Sequence, residues 1–384
     1  MNRLIFEGRF LVNIAGSIMR QTDLRPIHSR LDWECMFRTA DYHKVANIAY
    51  LGMLGNGEWV AQRWQERFFE RYQEALRFGD VCMEAENEIL MLFDMDQVPC
   101  TILASCGIRN LYPLPETAAN SPLRLYFSSE SYVQAKGFLV DLGYETDRFY
   151  PGFGERMRRV SGLTVEIYQK LPFKTRTYQK QLQKLLEHAY IRNSYDYVRT
   201  LSLEDRFILR VAEAVYHYVT DELLLRELLD IHLYYVSWSD QMNEEYIRHR
   251  LGDFHIDELG MKLIQLARMW FGSKEDPAYG IVSDDMGVYD VLENRILSRG
   301  RLKQETDTQA VGLARQIEKE ENREKIQRKL EKVKEQLQEF WSTYSRKLRR
   351  ILPEYKYMCA LYPSLERIPV LLPLFWLRRI MLRQ

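Results

Sequence analysis

Between Val98 and Tyr168 the hydrophobic residues stop recurring every three or four positions and begin to alternate, and this change of period limits the folds open to the chain. Before it, from about residue 28 to 95, apolar positions such as Val45, Ile48, Ala49 and Leu51 keep helical spacing with no Pro among them. VPCTIL and LRLYF are then short β-rich runs, separated by a helix-like stretch that ends at Tyr112-Pro113 and a polar loop. A helix opens at Ser128 or Ser129 as N-cap, runs through Tyr132, Ala135, Phe138 and Leu139, and stops at Gly143. ETDRFY, MRRV and LTVEIYQ follow, with Ser161-Gly162 as a hairpin turn.

This order predicts strands at 97–103, 123–127 and 163–168 in one sheet, with a helix at about 130–141. Beyond Pro172 the helical period returns, with Ser202 three residues before Asp205 in a capping arrangement. The expected fold class is α+β, mainly helical, with a small mixed-sheet module set among helices. The expected regions are 1–95 (helical), 96–172 (α/β core), 173–271 (helical), 272–309 (connector) and 310–384 (a long charged helix and a tail). In the charged helix Ile326, Leu330, Val333, Leu337, Phe340 and Tyr344 form a seam of under three heptads, too short for a coiled coil, so packing on its own protein is expected.

Composition removes several classes of function. Lys plus Arg equals Asp plus Glu at 54 each, so no global field draws nucleic acid or an acidic substrate. The five cysteines, Cys35, Cys82, Cys100, Cys106 and Cys359, show no CxxC spacing, which argues against a disulfide framework and a zinc site and fits a reducing cytoplasm. The run MNRLIFEGRFLVNIAG is broken by Glu7 and Arg9, so it reads as a first helix rather than a signal peptide. IPVLLPLFWL is interrupted by Pro369 and Pro373 and falls short of the roughly 20 apolar residues that span a bilayer. With Arg367, Arg378, Arg379 and Arg383 around it, this tail is expected to dock on the protein, the alternative being contact with a membrane surface.

Leu103-Ala104-Ser105 closes the first strand, CGIRNL leads to Tyr112-Pro113, and Ser121-Pro122-Leu123-Arg124 opens the next. This frame resembles a family of uncharacterised bacterial nucleotidyltransferases of the DNA polymerase beta type. There a strand ends in Leu-Lys-Gly, a helix ends in Tyr-Pro, and the next strand carries Gly-Asp-hydrophobic-Asp. Further matches are His43 and Val45, Leu142-Gly143-Tyr144, Val165-Glu166, His217, Arg226, Asp230-Ile231, Gly287-Val288-Tyr289 and Glu293-Asn294. The C-terminal run is similar as well, with Pro353, Tyr355, Met358, Tyr362-Pro363, Leu371-Leu372-Pro373, Trp376 and Arg379, so the resemblance spans roughly residues 40 to 380.

The resemblance implies a nucleotidyltransferase-like sheet, a nucleotide as ligand, and Mg²⁺ if the chain is active. Nucleotidyl transfer needs cations to neutralise the charge around phosphorus, and such hard cations need carboxylates. Two Asp at i and i+2 on a strand face the same way, but those positions here hold Pro122 and Arg124. Ala104 stands where the family has Lys, and Ser105 where it has Gly. Glu166 alone aligns with a family carboxylate, so no cofactor and no metal are expected. Arg124 is expected within salt-bridge reach of Glu166, the alternative partners being Arg109 and Arg159.

Other constellations are read as structural. Lys170, Lys174, Arg176, Lys180 and Lys184, with Phe173, Tyr178 and Tyr190, match a single-strand nucleic-acid groove only in part, and a solvated face is expected. Asp284, Asp285 and Asp290 lack EF-hand spacing and are expected to cap a loop, and His217, with no nucleophile elbow beside it, is expected to pack between helices. The leading function is a catalytically degenerate nucleotidyltransferase-like protein with a nucleotide-binding or scaffold role. The alternatives are an active enzyme that uses displaced carboxylates to modify a small molecule, sugar or protein, and a peripheral membrane or nucleic-acid adaptor. No partner protein is indicated.

Overall fold

Alternation along LRLYF and LTVEIY builds the centre of a seven-stranded mixed sheet. Its strands are β1 (Cys100–Ala104), β2 (Leu123–Tyr126), β3 (Glu145–Tyr150), β4 (Gly154–Arg158), β5 (Val165–Tyr168), β6 (Tyr190–Ile191) and β7 (Val198–Thr200), in the order β3-β4-β5-β2-β1-β7-β6. β2 runs parallel to β5 and antiparallel to β1, and β4 is antiparallel to β5. The three expected strands therefore lie in one sheet. The computed structural model describes residues 5–22, 31–54, 60–160, 162–171, 173, 175–273, 286–301, 355–362 and 364–381. The chain divides into two compact units, Met1–Thr306 and Asp307–Gln384.

Within the first unit the sheet has two unlike faces. Leu123, Leu125, Val165, Ile167 and Met157 pack into a core with Ala135 and Leu139 of α5 (Ser129–Asp141) and Ile89, Leu90 and Phe93 of α4 (Gln62–Met95). The opposite face carries Arg124, Glu166 and Tyr168 toward the helices. Ser128 caps α5 by accepting the Ser131 N–H at 3.2 Å. Gly143, with φ +82°, ends it by sending its N–H to the Val140 carbonyl, while the Tyr144 N–H reaches Leu139.

A larger helical core holds α1 (Phe6–Met19), α2 (Trp33–Tyr42) and α3 (Ala46–Met53). It also holds α6 (Arg176–Glu187), α7 (Leu203–Val219), α8 (Leu225–Trp238), α9 (Glu244–Asp253), α10 (Asp257–Phe271) and α11 (Met286–Leu297). Ser202 caps α7 through the Asp205 N–H at 3.0 Å. The 34-residue α4 serves both cores: Trp64 and Phe68 belong to the helical one, Cys82 through Phe93 to the one beneath the sheet.

Several expectations need correction. The region 173–271, expected to be helical, contributes the β6–β7 hairpin, whose strands of two and three residues are too short to show a period. β4 starts at Gly154, ahead of the expected MRRV, because Gly154 pairs with Tyr168 of β5. The connector 272–309 contains α11, and Asp290 sits on that helix, 4.0 Å from Arg9, rather than capping a loop. Ser161, Pro172, Lys174, Asp284, Asp285 and the charged helix at 310–350 lie outside the described residues.

In the second unit Met358, Cys359 and Leu365 form a small core onto which Tyr362, Leu372, Phe375 and Trp376 fold, while Val370, Leu374 and Leu377 stay exposed. Among the described residues no helix is long and apolar enough to cross a membrane.

Candidate functional site

Register brings three charged side chains into one row. Arg124 of β2 lies directly opposite Glu166 of β5, and Glu166 lies directly opposite Arg156 of β4. Residues in such cross-strand pairs share a face, so both guanidiniums flank a single carboxylate. Arg124 Nε stands 3.5 Å from Glu166 Oε2, and Arg156 grips Oε1 with Nη2 at 2.6 Å and Nε at 2.8 Å. The Tyr168 hydroxyl donates to Oε2 at 2.8 Å and that of Tyr150 to Oε1 at 3.4 Å. Glu166 is only 4% exposed.

A fourth charge comes from α7, where Glu213 Oε1 lies 2.6 Å from Arg124 Nη1. Two guanidiniums thus face two carboxylates and the cluster is neutral. Burial pushes the Glu166 carboxyl up, but Arg124, Arg156 and the hydroxyl of Tyr168 more than reverse this and hold it below the usual carboxylate range. The Tyr168 phenol is pushed up by its own burial and by the Glu166 charge, so it stays a donor.

Arg159 and Arg109 do not reach this carboxylate. Arg159 lies 3.6 Å from Glu88 and donates to the Leu142 carbonyl, while the Arg109 guanidinium sits over the Phe78 ring. Arg156, Tyr168, Tyr150 and Glu213 escaped the reading of the sequence. Arg156 was hidden by the misplaced start of β4. Glu213 carried a signal, since Arg206, Arg210, Glu213 and His217 are polar positions at helical spacing along α7.

Around the row, Ala104 ends β1 in register with Arg124, and Ser105 Oγ accepts the Gly107 N–H at 3.0 Å to cap the turn that follows. Pro122 is half-buried just before β2. A divalent cation does not fit these residues. Pro122 and Arg124 offer no anionic oxygen, and both oxygens of Glu166 already face donors. Among the described residues no three His, Cys, Asp or Glu side chains converge in a way that would hold a metal.

Residues outside the sheet that carried the resemblance meet around the start of α8. The Tyr112 hydroxyl donates to Asp230 Oδ1, the Arg226 guanidinium lies 4.5 Å over the Tyr112 ring, and its Nη2 donates to the Thr117 carbonyl at 2.5 Å. His43 Nδ1 accepts the Leu225 N–H at 3.1 Å, and burial pushes the imidazole down to about 4. His217 pairs with Glu227 at 2.5 Å; burial lowers its pKa, and the hydrogen bond and charge of Glu227 raise it by more. With Arg124, Glu213 and Tyr216, His217 lines a cavity of about 330 Å³. Of the basic and aromatic group, Phe173 and Tyr178 are buried against Tyr216, so they cannot stack on bases, whereas Lys170, Arg176 and Lys180 are exposed.

Comparison with curated proteins and with solved structures gave no match. A family model described as "Uncharacterised nucleotidyltransferase" matches residues 29–272, which takes in the whole sheet and α2 to α10. The similar C-terminal run from Tyr355 to Arg379 lies beyond that match. The match covers well over half the chain, its range taking in Tyr112, Glu166 and Asp230, and the chain belongs to the uncharacterised nucleotidyltransferase family.

Proposed function

We propose that this is a catalytically degenerate nucleotidyltransferase-like protein, one that keeps the fold for binding or scaffolding rather than for metal-dependent transfer. The supporting observation is the engagement of both Glu166 oxygens by Arg124, Arg156 and Tyr168. Guanidiniums here take the place of the cations that transfer chemistry requires. A reducing cytoplasm is the setting proposed, supported by five cysteines that are all free and buried. Calorimetric titration with Mg²⁺ in the presence of ATP, GTP, CTP and UTP tests the reading. We expect no stoichiometric Mg²⁺ binding that depends on Glu166. Nucleotidyl transfer, or Mg²⁺ binding lost in Glu166→Gln, would overturn it.

A second reading, contact of the tail with a membrane surface, draws on the exposed Val370, Leu374 and Leu377 beside the exposed Arg378. Flotation with anionic liposomes should carry the protein upward, and an unbound protein would dismiss this role.

A further inference from the structure

Two thiols meet where α4 passes the turn after β1. Cys82 sits in the second half of α4, Cys106 opens the turn Cys106–Leu111, and both are fully buried in the core beneath the sheet. Their side chains are hydrogen-bonded to each other. Glu86, one helical turn along α4 from Cys82, accepts the Cys106 N–H at 2.7 Å and so fixes the turn against the helix.

The charges around the two sulfurs differ. Gly79 lies one turn before Cys82, and a Cβ there would sit 2.2 Å from Arg109 Nη2, so its missing side chain lets the Arg109 guanidinium lie against α4. Arg109 is buried, its Nη1 has no hydrogen-bond partner, and among the described residues no carboxylate pairs with it. The hydrogen bond from Cys106 and the charge of Arg109 push the Cys82 thiol down, more than burial and Glu86 push it up. Cys106 is pushed up by the same hydrogen bond, by burial and by Glu86. Cys100 shows the ordinary behaviour of a buried thiol, pushed up to about 12 by burial.

We propose that Cys82 and Cys106 are a modification site, joined in a reversible disulfide when the protein meets a peroxide. The Cys82 thiolate attacks one peroxide oxygen, the O–O bond breaks, and the released hydroxide takes a proton and leaves as water. The Cys82 sulfenic acid is then attacked by the Cys106 sulfur, the S–O bond breaks, and a second water carries off the Cys106 proton. Two electrons pass from the sulfurs to the peroxide. Ser105 and Gly107, on either side of Cys106, line an open cavity of about 450 Å³, which brings a molecule as small as hydrogen peroxide to within one residue of the pair. Full burial of both sulfurs excludes a bulky disulfide such as oxidised glutathione. The link closes the loop 82–106 and holds the turn to α4.

Peroxide treatment of the reduced full chain, in native buffer and in urea, tests it. In native buffer we expect the intact mass to fall by two hydrogens, peptide mapping without reductant to join Cys82 with Cys106, and dithiothreitol to restore the thiols. In urea the five cysteines should lose this preference. Cys106→Ser should leave Cys82 as a sulfenic acid that dimedone traps, whereas Cys82→Ser should leave Cys106 unmodified. No link at millimolar peroxide, a link that joins other cysteines instead, or an equal preference for Cys82 with Cys106 in urea would overturn the proposal. The wild-type peptide map decides this even if a serine variant fails to fold.

Discussion

Glu166→Gln separates a structural carboxylate from a catalytic one by the sign of its effect on stability. The substitution keeps the volume, removes the charge and places an amide NH₂ where the native oxygens meet only donors. Among the described residues Arg156 then has no carboxylate, and Arg124 keeps Glu213 alone. Breaking a buried pair costs about 3–5 kcal/mol. The Arg156 side chain is 35% exposed, so water relieves part of this and the lower end, about 3 kcal/mol, applies. At about 2 °C per kcal/mol for a large unit, the thermal midpoint falls by about 6 °C. Differential scanning calorimetry and urea titration both read this loss. The acid limb gives an independent check. Because the folded pKa of Glu166 is depressed, its stabilisation is present above the unfolded carboxylate pKa and lost as pH falls through the folded value. Glu166→Gln should flatten that limb. An unchanged or higher midpoint would refute the reasoning, since that is the behaviour of a carboxylate held under strain for catalysis.

Other outcomes follow from neighbouring groups. With its folded pKa lowered to about 4 from 6.5, His43 adds stability above about pH 6.5 that disappears as pH falls toward 4, at most about 3 kcal/mol, and His43→Gln should remove this dependence from a pH series of urea midpoints. His217 has the opposite sign: its raised pKa adds stability below its unfolded value of about 6.5, lost as pH rises through the folded one, and Glu227→Gln should abolish the effect. Gly154→Val would set a Cβ 2.0 Å from the Ile167 carbonyl oxygen, so β4 must separate from β5 and the thermal midpoint should drop by several degrees or more; an unchanged midpoint would contradict the pairing. Arg124→Asp places a second carboxylate opposite Glu166, and Mg²⁺ affinity measured by calorimetry should rise; no change would count against the row as a former metal site.

Much of the sheet was legible because its central strands alternate cleanly. Leu123 and Leu125 on one face and Arg124 on the other can be read directly from LRLYF, as can Val165 and Ile167 against Glu166. Spacing also marked the caps at Ser128, Gly143 and Ser202. What escaped depended on register between strands. Arg156 meets Glu166 through the β4–β5 register, one residue ahead of the expected start at Met157. The β6–β7 hairpin owes its place to pairing with β1, a contact about a hundred residues away in sequence. Cys82 and Cys106 likewise meet only in the fold, one on α4 and the other after β1.

The continuous α4 also sets how this protein comes apart. At 1.5 Å per residue its 34 residues reach about 51 Å, a single rod anchored by Trp64 and Phe68 at one end and by Ile89, Leu90 and Phe93 at the other. Between these anchors Ala75 is buried, Arg71 pairs with Asp41 at 2.7 Å, and Phe69 and Tyr72 pack on Tyr50, while Leu76 and Val81 are exposed, so the middle of the rod joins the two anchored ends. Fraying at either end therefore travels along a shared ladder, and the sheet and the helical core should melt in one transition. A proline at Arg77 would cut the ladder, and the two halves should then lose hydrogen-exchange protection at separate denaturant concentrations.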